Sequence, residues 1–392
     1  MSGSAAALRH HGRVPATAVT VEDLRTVGTT AGLDAVGVAR AEPFVSTRAD
    51  LEARQQAGLA ADMAFTYKNP ERSTSPQLLL RNAASLVVGA RSYHRRPPAP
   101  PSTGGDADRD EPLVGSVGRY AWEDHYASLR AGLDAVAGHL RRHGHRAAVF
   151  VDGNHLVDRE AAYRAGLGWY GKNTNLLLPD RGSWFVLGSV VTDAELPADQ
   201  PQPDGCGSCR RCLDSCPTGA LPAPGVLDAN RCLAWLAQRP GCFPREFRVA
   251  LHDRIYGCDD CQTVCPPNRR EEQQVGLRAA TGPAEGAWVP LLALLAADDD
   301  AVLQRWGRWY LHDRRTVAVR RNALLALGNV ASPSDERVVR CLQDHLHHDD
   351  PVLRATAVWS ARRLGLDHLA ILAAQDPDAE VRAELEGPVP RR

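Results

Sequence analysis

The 392-residue sequence contains no run of about 18 apolar residues, the length that a membrane-spanning helix needs. Its start has neither the apolar stretch of a secretion signal nor a twin-arginine motif, so we expect no export and a disordered leader over residues 1–19. A formal net charge of -1 provides no overall attraction to nucleic acid. With 44% hydrophobic and 24% charged residues, global disorder is excluded. The sequence predicts a cytoplasmic chain of two or three folded domains that binds no membrane.

Lysine is nearly absent from the sequence, which has 2 Lys against 44 Arg. Either cation serves on a solvated surface, so most positions tolerate this bias toward arginine. The lysines that remain, Lys68 and Lys172, are candidates for positions that need a compact ammonium group.

Cysteine is confined to one region: nine of the ten lie between Cys206 and Cys265. Without a secretion signal, clustered thiols are expected to bind metal rather than to form disulfides. The segment Cys206-Gly-Ser-Cys209-Arg-Arg-Cys212-Leu-Asp-Ser-Cys216-Pro has the bacterial ferredoxin spacing, in which the fourth cysteine ligates the other cluster. A second segment, from Cys258 to Pro266, ends in the same way, but Ile255 stands where its first cysteine belongs.

Crossing over between the two segments completes the ligand count for two [4Fe–4S] clusters. The first cluster takes Cys206, Cys209, Cys212 and Cys265. The second takes Cys216, Cys258 and Cys261 and needs one more ligand, for which Cys232 and Cys242 are both candidates. A pair of zinc sites is the alternative, but zinc sites use cysteine pairs, whereas this chain has a triple and two Cys-Pro endings.

Helical and strand-like segments alternate over residues 20–200, which predicts an α/β or α+β domain. The predicted helices span 21–31, 126–142 and 159–165, and the predicted strands span 35–39, 85–89, 147–151 and 183–191. Residues 96–116 are rich in proline, glycine and charge and favour a surface loop. A cluster domain over residues 201–270 follows.

The last part of the chain, residues 271–392, contains a recurring pattern of the form V-R-x-x-A. It appears at Val319-Arg320, Leu353-Arg354 and Val381-Arg382, and Asp350-Pro351 and Asp376-Pro377 begin two of the units. These features predict an all-helical domain of HEAT-like repeats, with an unrelated helical tail as the alternative.

Residues 303–340 carry an excess of arginine with aromatic residues between. The arginines are Arg305, Arg308, Arg314, Arg315, Arg320, Arg321, Arg337 and Arg340, and the aromatics are Trp306, Trp309 and Tyr310. This combination favours contact with nucleic-acid phosphates and stacking on bases, and a merely solvated helix face is the alternative.

A further candidate site precedes the cysteines. Asp152 follows an apolar strand and becomes a general acid if burial raises its pKa, although such an aspartate also serves as a helix N-cap. The glycines at 166–171 allow the backbone to approach a flat ligand closely. Neither a dinucleotide fingerprint nor the D-x-H-x-x-G motif of many cobalamin binders is present.

Six stretches together resemble the epoxyqueuosine reductases, which are cobalamin- and iron–sulfur-dependent enzymes that complete queuosine in tRNA. The stretches are Phe150-Val-Asp152, Ala165 to Lys172, Gly182 to Gly188, Cys206 to Gly219, Arg231-Cys232 and Arg254 to Pro266. With the HEAT-like tail, the resemblance covers roughly residues 20–385.

The resemblance implies a nitroreductase-like domain that holds cob(II)alamin base-off, a ferredoxin-like domain with two [4Fe–4S] clusters, and a HEAT-like domain. It implies Cys232 as the open ligand, with Cys242 spare, and Asp152 as the proton donor. The implied cobalamin contacts are Lys68, Asp152, Lys172, Asn173, Leu176, Asp259 and Asp260. The implied partners are a tRNA anticodon stem-loop carrying epoxyqueuosine and a flavodoxin- or ferredoxin-type electron donor, with the enzyme as a monomer.

The chain departs from the family pattern at Gly153, Asn154 and His155, and over Arg119 to Tyr126, which puts contacts from those positions in doubt. We expect removal of residues 300–392 to weaken tRNA binding and to spare both cofactors. One alternative function is another cobalamin and iron–sulfur reductase, such as a reductive dehalogenase. The other is a non-catalytic electron carrier or tRNA-binding scaffold, which would need no segment like 150–190.

Overall fold

The computed structural model describes residues 19–63, 65–95, 97–101, 112–274 and 286–390. Nearly all of the expected leader, residues 1–18, lies outside the described residues. None of the helices in the described ranges is long and apolar enough to cross a membrane.

The elements are numbered here in chain order. The first part contains α1 (Val21–Thr30), β1 (Ala35–Arg40), α2 (Val45–Gln56), α3 (Pro70–Ser73), β2 (Ser85–Ser92), β3 (Val114–Val117), α4 (His125–Arg142), β4 (Ala147–Val151), α5 (Asp158–Arg164), β5 (Trp169–Tyr170), β6 (Leu176–Leu177) and β7 (Phe185–Thr192). The cysteine-rich part contains α6 (Arg211–Asp214), α7 (Leu233–Leu236), α8 (Arg248–Leu251), β8 (Arg254–Tyr256), α9 (Asp260–Thr263) and α10 (Pro266–Gln274). The tail contains β9 (Trp288–Pro290), α11 (Leu291–Ala296), α12 (Asp299–Trp306), α13 (Val317–Val330), α14 (Glu336–Leu346), α15 (Pro351–Arg363), α16 (Asp367–Ala370) and α17 (Ala379–Glu386).

A four-stranded antiparallel sheet with the order β1-β2-β7-β4 forms the centre of the first part. Side chains alternate between its two faces because successive residues of a strand point to opposite sides. One face packs against α1 and α4, and the other packs against α5. The predicted mixed domain is therefore α+β, since every pairing in this sheet is antiparallel.

A second, three-stranded sheet joins all three parts of the chain. Strand β3 pairs parallel with β8 of the cysteine-rich part and antiparallel with β9 of the tail. Gly115 allows the close approach, because a Cβ atom there would lie 2.4 Å from Cγ1 of Ile255. The predicted surface loop over 96–116 is therefore wrong at its end, where residues 114–116 form β-structure; residues 96 and 102–111 lie outside the described residues.

The tail is a stack of helices in which the recurring pattern occupies α13, α15 and α17, each packed on the next. Two arginines of the pattern bind the loop that precedes α17. Arg354 makes a two-point ion pair with Asp376 at 2.7 and 2.9 Å, and Arg382 donates to the carbonyl of Pro377. Asp350 caps α15, whereas α17 is capped by Asp378 rather than by Asp376.

The tail shares its hydrophobic core with the other parts. Leu325 of α13 and Trp359 of α15 form one buried cluster with Leu233, Leu236 and neighbours in the cysteine-rich part. A larger cluster runs from Val117 through Ile255 into the tail helices. The expectation that the tail can be removed without consequence for the cysteine-rich part therefore conflicts with the packing.

Candidate functional site

The first group of thiols comprises Cys206, Cys209, Cys212 and Cys265. Burial raises the pKa of Cys265 to about 11, and the charges of the other three members raise it as well. The pKa of Cys212 is raised by burial, with contributions from Cys206 and Cys209. These four side chains, from two segments far apart in sequence, therefore lie near enough for their charges to act on one another.

The second group comprises Cys216, Cys232, Cys258 and Cys261. Burial raises the pKa of Cys258 to about 12, and Cys232 contributes. The pKa of Cys232 is raised by burial and by Cys216, and that of Cys261 by burial and by Cys258 and Cys232. Cys212 also contributes at Cys261, so the two groups are neighbours.

Cys242 lies apart from both groups. Its thiol donates a hydrogen bond to Oε2 of Glu380 on α17, at 3.2 Å. Burial and this carboxylate raise its pKa to about 12. The fold therefore brings Cys232, and not Cys242, beside Cys216, Cys258 and Cys261.

Each group offers four thiols, which is the ligand set of a [4Fe–4S] cluster. Buried thiols resist ionisation because a low-dielectric environment penalises the thiolate. The positive charge of an iron–sulfur core stabilises the thiolates and offsets that penalty. The eight thiols therefore fit two [4Fe–4S] clusters. The backbone N–H of Ala220 donates to Sγ of Cys216 at 3.2 Å, a contact of the kind that tunes a cluster sulfur.

The glycine-containing segment at 166–173 reaches both cysteine loops. The ammonium group of Lys172 donates to the carbonyls of Gly207 and Cys209, at 2.6 and 3.0 Å. The amide of Asn173, a buried residue, donates to the carbonyl of Cys261 at 3.3 Å. Leu176 is buried in β6 and pairs with Tyr170. This segment therefore holds a loop of each thiol group.

The cysteine-rich part is anchored to the central sheet through two amide side chains. Gln262 donates to the hydroxyl of Tyr93 and to the carbonyl of Ser183, at 3.0 and 3.1 Å. Asn268 accepts from the backbone N–H of Ser183 at 2.6 Å. Gly182 has a φ of +69° and touches Asn268, so a side chain there would push the two parts apart.

Asp259 and Asp260 have partners within the protein. Asp259 accepts from the backbone N–H of Arg119 at 2.8 Å, and its pKa rises to about 6 because burial disfavours the carboxylate. Asp260 makes a two-point ion pair with Arg254 at 2.6 and 2.8 Å. Both aspartates thus stabilise the turn between Cys258 and Cys261.

Asp152 directly follows β4 and is exposed, with a φ of +49°. Its pKa is raised, first by desolvation and then by the carboxylate of Asp124. The N-cap alternative is wrong, because α5 begins at Asp158 and its cap position is Val157. The residues that depart from the family pattern, Gly153 to His155, are exposed beside Asp152.

Sequence reasoning missed Asp158 and Arg159 at the start of α5. Desolvation and the charge of Asp152 raise the pKa of Asp158 well above its ordinary value, whereas Arg159 lowers it. Arg159 is exposed, and its charge also acts on Tyr126, Tyr170 and Cys232. Arg159 is therefore near enough to the second thiol group for its charge to act on Cys232, and Asp152 is near enough to act on Asp158. The one sequence signal for this pair is that two aspartates, Asp152 and Asp158, follow the end of β4.

Lys68 ends a short 3₁₀ turn, Thr66–Lys68, and is exposed. Phe65, which directly precedes this turn, contacts Trp235 of α7 and Tyr310 of the tail. The ring centroids are 5.8 Å apart in the first pair and 5.0 Å apart in the second. Since α7 starts directly after Cys232, the segment that carries Lys68 lies beside the second thiol group.

The predicted nucleic-acid face at 303–340 is partly covered, although five of its eight arginines and Tyr310 are exposed. Arg320 and Arg321 are buried, and Arg320 donates to the carbonyls of Leu294 and Leu295 on α11 and to Asp299. Trp306 and Trp309 are each only 6% exposed, and Trp309 stacks on Tyr256 at 4.6 Å. Their rings are covered and cannot stack on bases. The arginines of this segment that remain exposed are Arg305, Arg308, Arg314, Arg315 and Arg340.

Two family models match parts of the chain. A 4Fe-4S double cluster binding domain matches residues 205–268, and HEAT repeats match residues 308–387. The first match identifies the cysteine-rich part as an iron–sulfur domain and removes the zinc alternative. The second confirms the predicted repeats and removes the alternative of an unrelated helical tail.

The chain is similar over most of its length to known reductases. It is 34% identical to the epoxyqueuosine reductase of Bacillus anthracis over 353 residues, which cover 88% of this chain and 89% of the relative. A crystal structure of an epoxyqueuosine reductase with an epoxyqueuosine-modified stem-loop of a tyrosine tRNA has a TM-score of 0.80 and 33% identity, covering 93% of this chain and 96% of that one. The Bacillus subtilis enzyme, in a structure with a catalytic aspartate loop swung out of the active site, has a TM-score of 0.80 and 32% identity over the same shares.

Proposed function

Because the chain belongs to the epoxyqueuosine reductase family, we propose that it reduces epoxyqueuosine to queuosine at the wobble position of tRNA. The observation that carries the proposal is the similarity to epoxyqueuosine reductases over most of the chain, together with two groups of four thiols and an acid pair, Asp152 and Asp158. The thiol groups supply a path for electrons, and the acid pair supplies protons. Membership in a family of reductases leaves no argument for a non-catalytic carrier.

The proposed cluster ligands follow the two thiol groups. Cys206, Cys209, Cys212 and Cys265 hold one [4Fe–4S] cluster, and Cys216, Cys232, Cys258 and Cys261 hold the other. The mutual influence of the thiols within each group supports this assignment. The contact of Cys242 with Glu380 supports leaving it out.

We infer that cobalamin binds beside the second cluster, where it supplies a low-valent cobalt able to deliver two electrons to the substrate. Lys68, Asp152 and Arg159 would hold it, because all three are exposed. The segment of Lys68 contacts α7 next to Cys232, and the charge of Arg159 acts on Cys232. The peripheral amides and the phosphate of a corrinoid suit such charged and carboxyl partners. Contacts from Lys172, Asn173, Leu176, Asp259 and Asp260 stay a prediction, and the bonds they make support a role in holding the cluster loops.

Asp152 is the proposed proton donor. Reduction of the epoxide to an alkene consumes two electrons and two protons and releases the oxygen as water. A carboxyl group can give a proton to the departing oxygen only while it is protonated, and the raised pKa of Asp152 shifts it toward that form. Burial and the charge of Asp152 raise the pKa of Asp158, which makes Asp158 the proposed source of a second proton.

The proposed substrate is the anticodon stem-loop of a tRNA, from which the modified base must leave the stack to reach the site. The exposed arginines of the 303–340 segment, Arg305, Arg308, Arg314, Arg315 and Arg340, are suited to bind its phosphates. A flavodoxin- or ferredoxin-type donor, a cytoplasmic location and a monomeric state complete the proposal.

Turnover tests the proposed function directly. Protein reconstituted anaerobically with iron, sulfide and cobalamin is mixed with a low-potential reductant and epoxyqueuosine-containing tRNA. We expect mass spectrometry of the digested tRNA to show the loss of one oxygen atom from the modified nucleoside. A protein that carries both clusters and corrinoid yet leaves the nucleoside unchanged would contradict the proposal.

A further inference from the structure

Helix α13 of the tail sends a buried arginine into the segment that separates two proposed ligands of the second cluster. This segment, residues 236–255, is called the inter-ligand segment because it lies between Cys232 and Cys258. Arg321, which is fully buried, donates to the carbonyls of Leu236, Arg239 and Gly241 at 2.8, 2.8 and 2.6 Å. One side chain of the tail thus satisfies three backbone groups of this segment.

The neighbouring residue Asn322 joins the two ends of the inter-ligand segment. Its buried amide donates to the carbonyl of Ala237 at 2.7 Å and to that of Ile255 at 2.8 Å. Ala237 directly follows α7, which begins after Cys232, and Ile255 lies three residues before Cys258. A single amide group therefore bridges the two ends of the segment.

The middle of the segment is held by the tail as well. Asn329, also on α13, donates to the carbonyls of Arg248 and His252 at 2.8 and 3.0 Å. Glu384 of α17 forms a buried two-point ion pair with Arg248, both contacts at 2.9 Å. Between α7 and β8 the segment contains one 3₁₀ turn and one short helix, so these contacts add to the pairing of β8 with β3 in fixing its shape.

Loss of these contacts is costly because both sides are buried. A buried backbone carbonyl without a donor costs about 1–3 kcal/mol. A buried guanidinium is tolerated only when its donors are satisfied, and Arg321 meets that condition through the inter-ligand segment. The tail and the segment therefore need each other for a stable arrangement.

We propose that Arg321 and Asn322 are positioning residues for the second iron–sulfur cluster: by clamping the inter-ligand segment, they set the spacing between Cys232 and Cys258. This inference rests on the proposed ligand set. Outer-shell contacts of this kind orient ligands and tune a metal centre, so the clamp governs the occupancy and reduction potential of one cluster and leaves the other unchanged.

The test compares Asn322→Ala with Ser360→Ala in the full-length, anaerobically reconstituted protein. Ser360 is a matched control, because its buried hydroxyl donates to the carbonyl of Leu324 at 2.8 Å entirely within the tail. Iron per chain, the electron paramagnetic resonance signals of the reduced clusters and their reduction potentials are measured, together with the melting temperature. None of these needs tRNA or cobalamin.

We expect Asn322→Ala to lose up to half of about eight irons, or to shift the potential of one cluster only. The affected cluster is expected to be the one that Cys232→Ser removes, and Ser360→Ala is expected to keep both clusters as in the wild type. Arg321→Lys keeps the charge but cannot reach all three carbonyls, so it provides a milder second variant if Asn322→Ala does not fold.

Two results would count against different parts of the argument. If Asn322→Ala and Arg321→Lys keep both clusters at unchanged potentials and lose only melting temperature, as Ser360→Ala does, the positioning role is overturned. If Cys232→Ser itself keeps both clusters, the proposed ligand set has failed, and this inference falls with it.

Discussion

Asp152 is exposed and its pKa is raised, and both features favour a proton donor because they give substrate access and shift the carboxyl toward its protonated form. Asp152→Asn keeps the size of the side chain and removes the transferable proton. We expect turnover to fall about 10²-fold or more, the usual scale for general acid catalysis, with both clusters and corrinoid retained. Turnover of epoxyqueuosine-containing tRNA measures this loss, and near-normal turnover would assign the proton to another group.

The pH dependence of turnover tests the cause of that raised pKa. A general acid works only while protonated, so activity falls as pH rises through its pKa, and a raised pKa moves this fall to higher pH. The carboxylate of Asp124 contributes to the raised pKa of Asp152. Asp124→Asn removes this charge but preserves the cap of α4, since Asp124 accepts from Ala127 and asparagine caps equally well.

In Asp124→Asn we therefore expect the pKa of Asp152 to drop and the alkaline loss of turnover to begin at lower pH. The profile of turnover against pH shows the shift, measured beside the wild type with the melting temperature as a control on the cap. An unchanged profile would mean that a group other than Asp152 limits the alkaline side.

Single substitutions also test whether Cys232 or Cys242 is the fourth ligand of the second cluster. Cys232→Ser removes one proposed ligand, whereas Cys242→Ser removes only a thiol bonded to Glu380. We expect Cys232→Ser to lose about four irons of about eight, and Cys242→Ser to lose none. Iron analysis of the reconstituted proteins decides between them, and equal loss in both variants, or loss in neither, would contradict the proposed assignment.

Among the elements, the 166–173 segment connects the central sheet to the loop of the first thiol group through Lys172. Lys172→Met keeps the length of the side chain but gives up two hydrogen bonds, to the carbonyls of Gly207 and Cys209. A loosened loop admits oxygen and solvent to the cluster. We expect the iron–sulfur absorbance to bleach faster in air than in the wild type.

Arg315→Met is the control for this element, because it removes an exposed cation whose partner, Asp350, lies within the tail. We expect it to bleach at the wild-type rate. If Arg315→Met and Lys172→Met bleach alike, the hydrogen bonds of Lys172 do not protect the cluster.

The whole molecule is expected to unfold as one unit, because its core crosses between the tail and the cysteine-rich part. Trp359 of α15 is 1% exposed and packs in one cluster with Leu233, Leu236 and Phe243. Trp359→Ala is expected to cost about 3–5 kcal/mol, the usual range for removing a large buried ring. Helicity and iron–sulfur absorbance should then be lost together at a lower temperature.

Parallel melts of the wild type and the variant, followed by circular dichroism and by cluster absorbance, measure this coupling. Two separate transitions, with the tail melting first and the clusters intact, would show that the tail is an independent domain. The same packing leads us to expect that removal of residues 300–392 releases iron, contrary to what the sequence alone suggested.

Local patterns in the sequence predicted a large share of this protein. The spacing of Cys206 to Cys216 determines the chemistry of the cysteine-rich part, because neighbouring cysteines in one loop must face a common centre. The helix and strand segments of the first part follow from hydrophobic periodicity, and the recurring pattern at Val319, Leu353 and Val381 predicted stacked helices. The position of Asp152 at the end of an apolar strand likewise required no tertiary information.

The remaining features depend on which distant segments meet, and no local pattern records that. Arg320, Arg321 and Trp309 looked like a surface for nucleic acid, but carbonyls and rings from other parts of the chain cover them. Residues 114–117 looked like loop because their strand partners, β8 and β9, lie far away in sequence. The spacing of cysteines in the sequence thus determined the kind of chemistry. Long-range packing decided which cysteines lie near one another and which charged side chains reach solvent, because burial depends on the segment that covers each side chain.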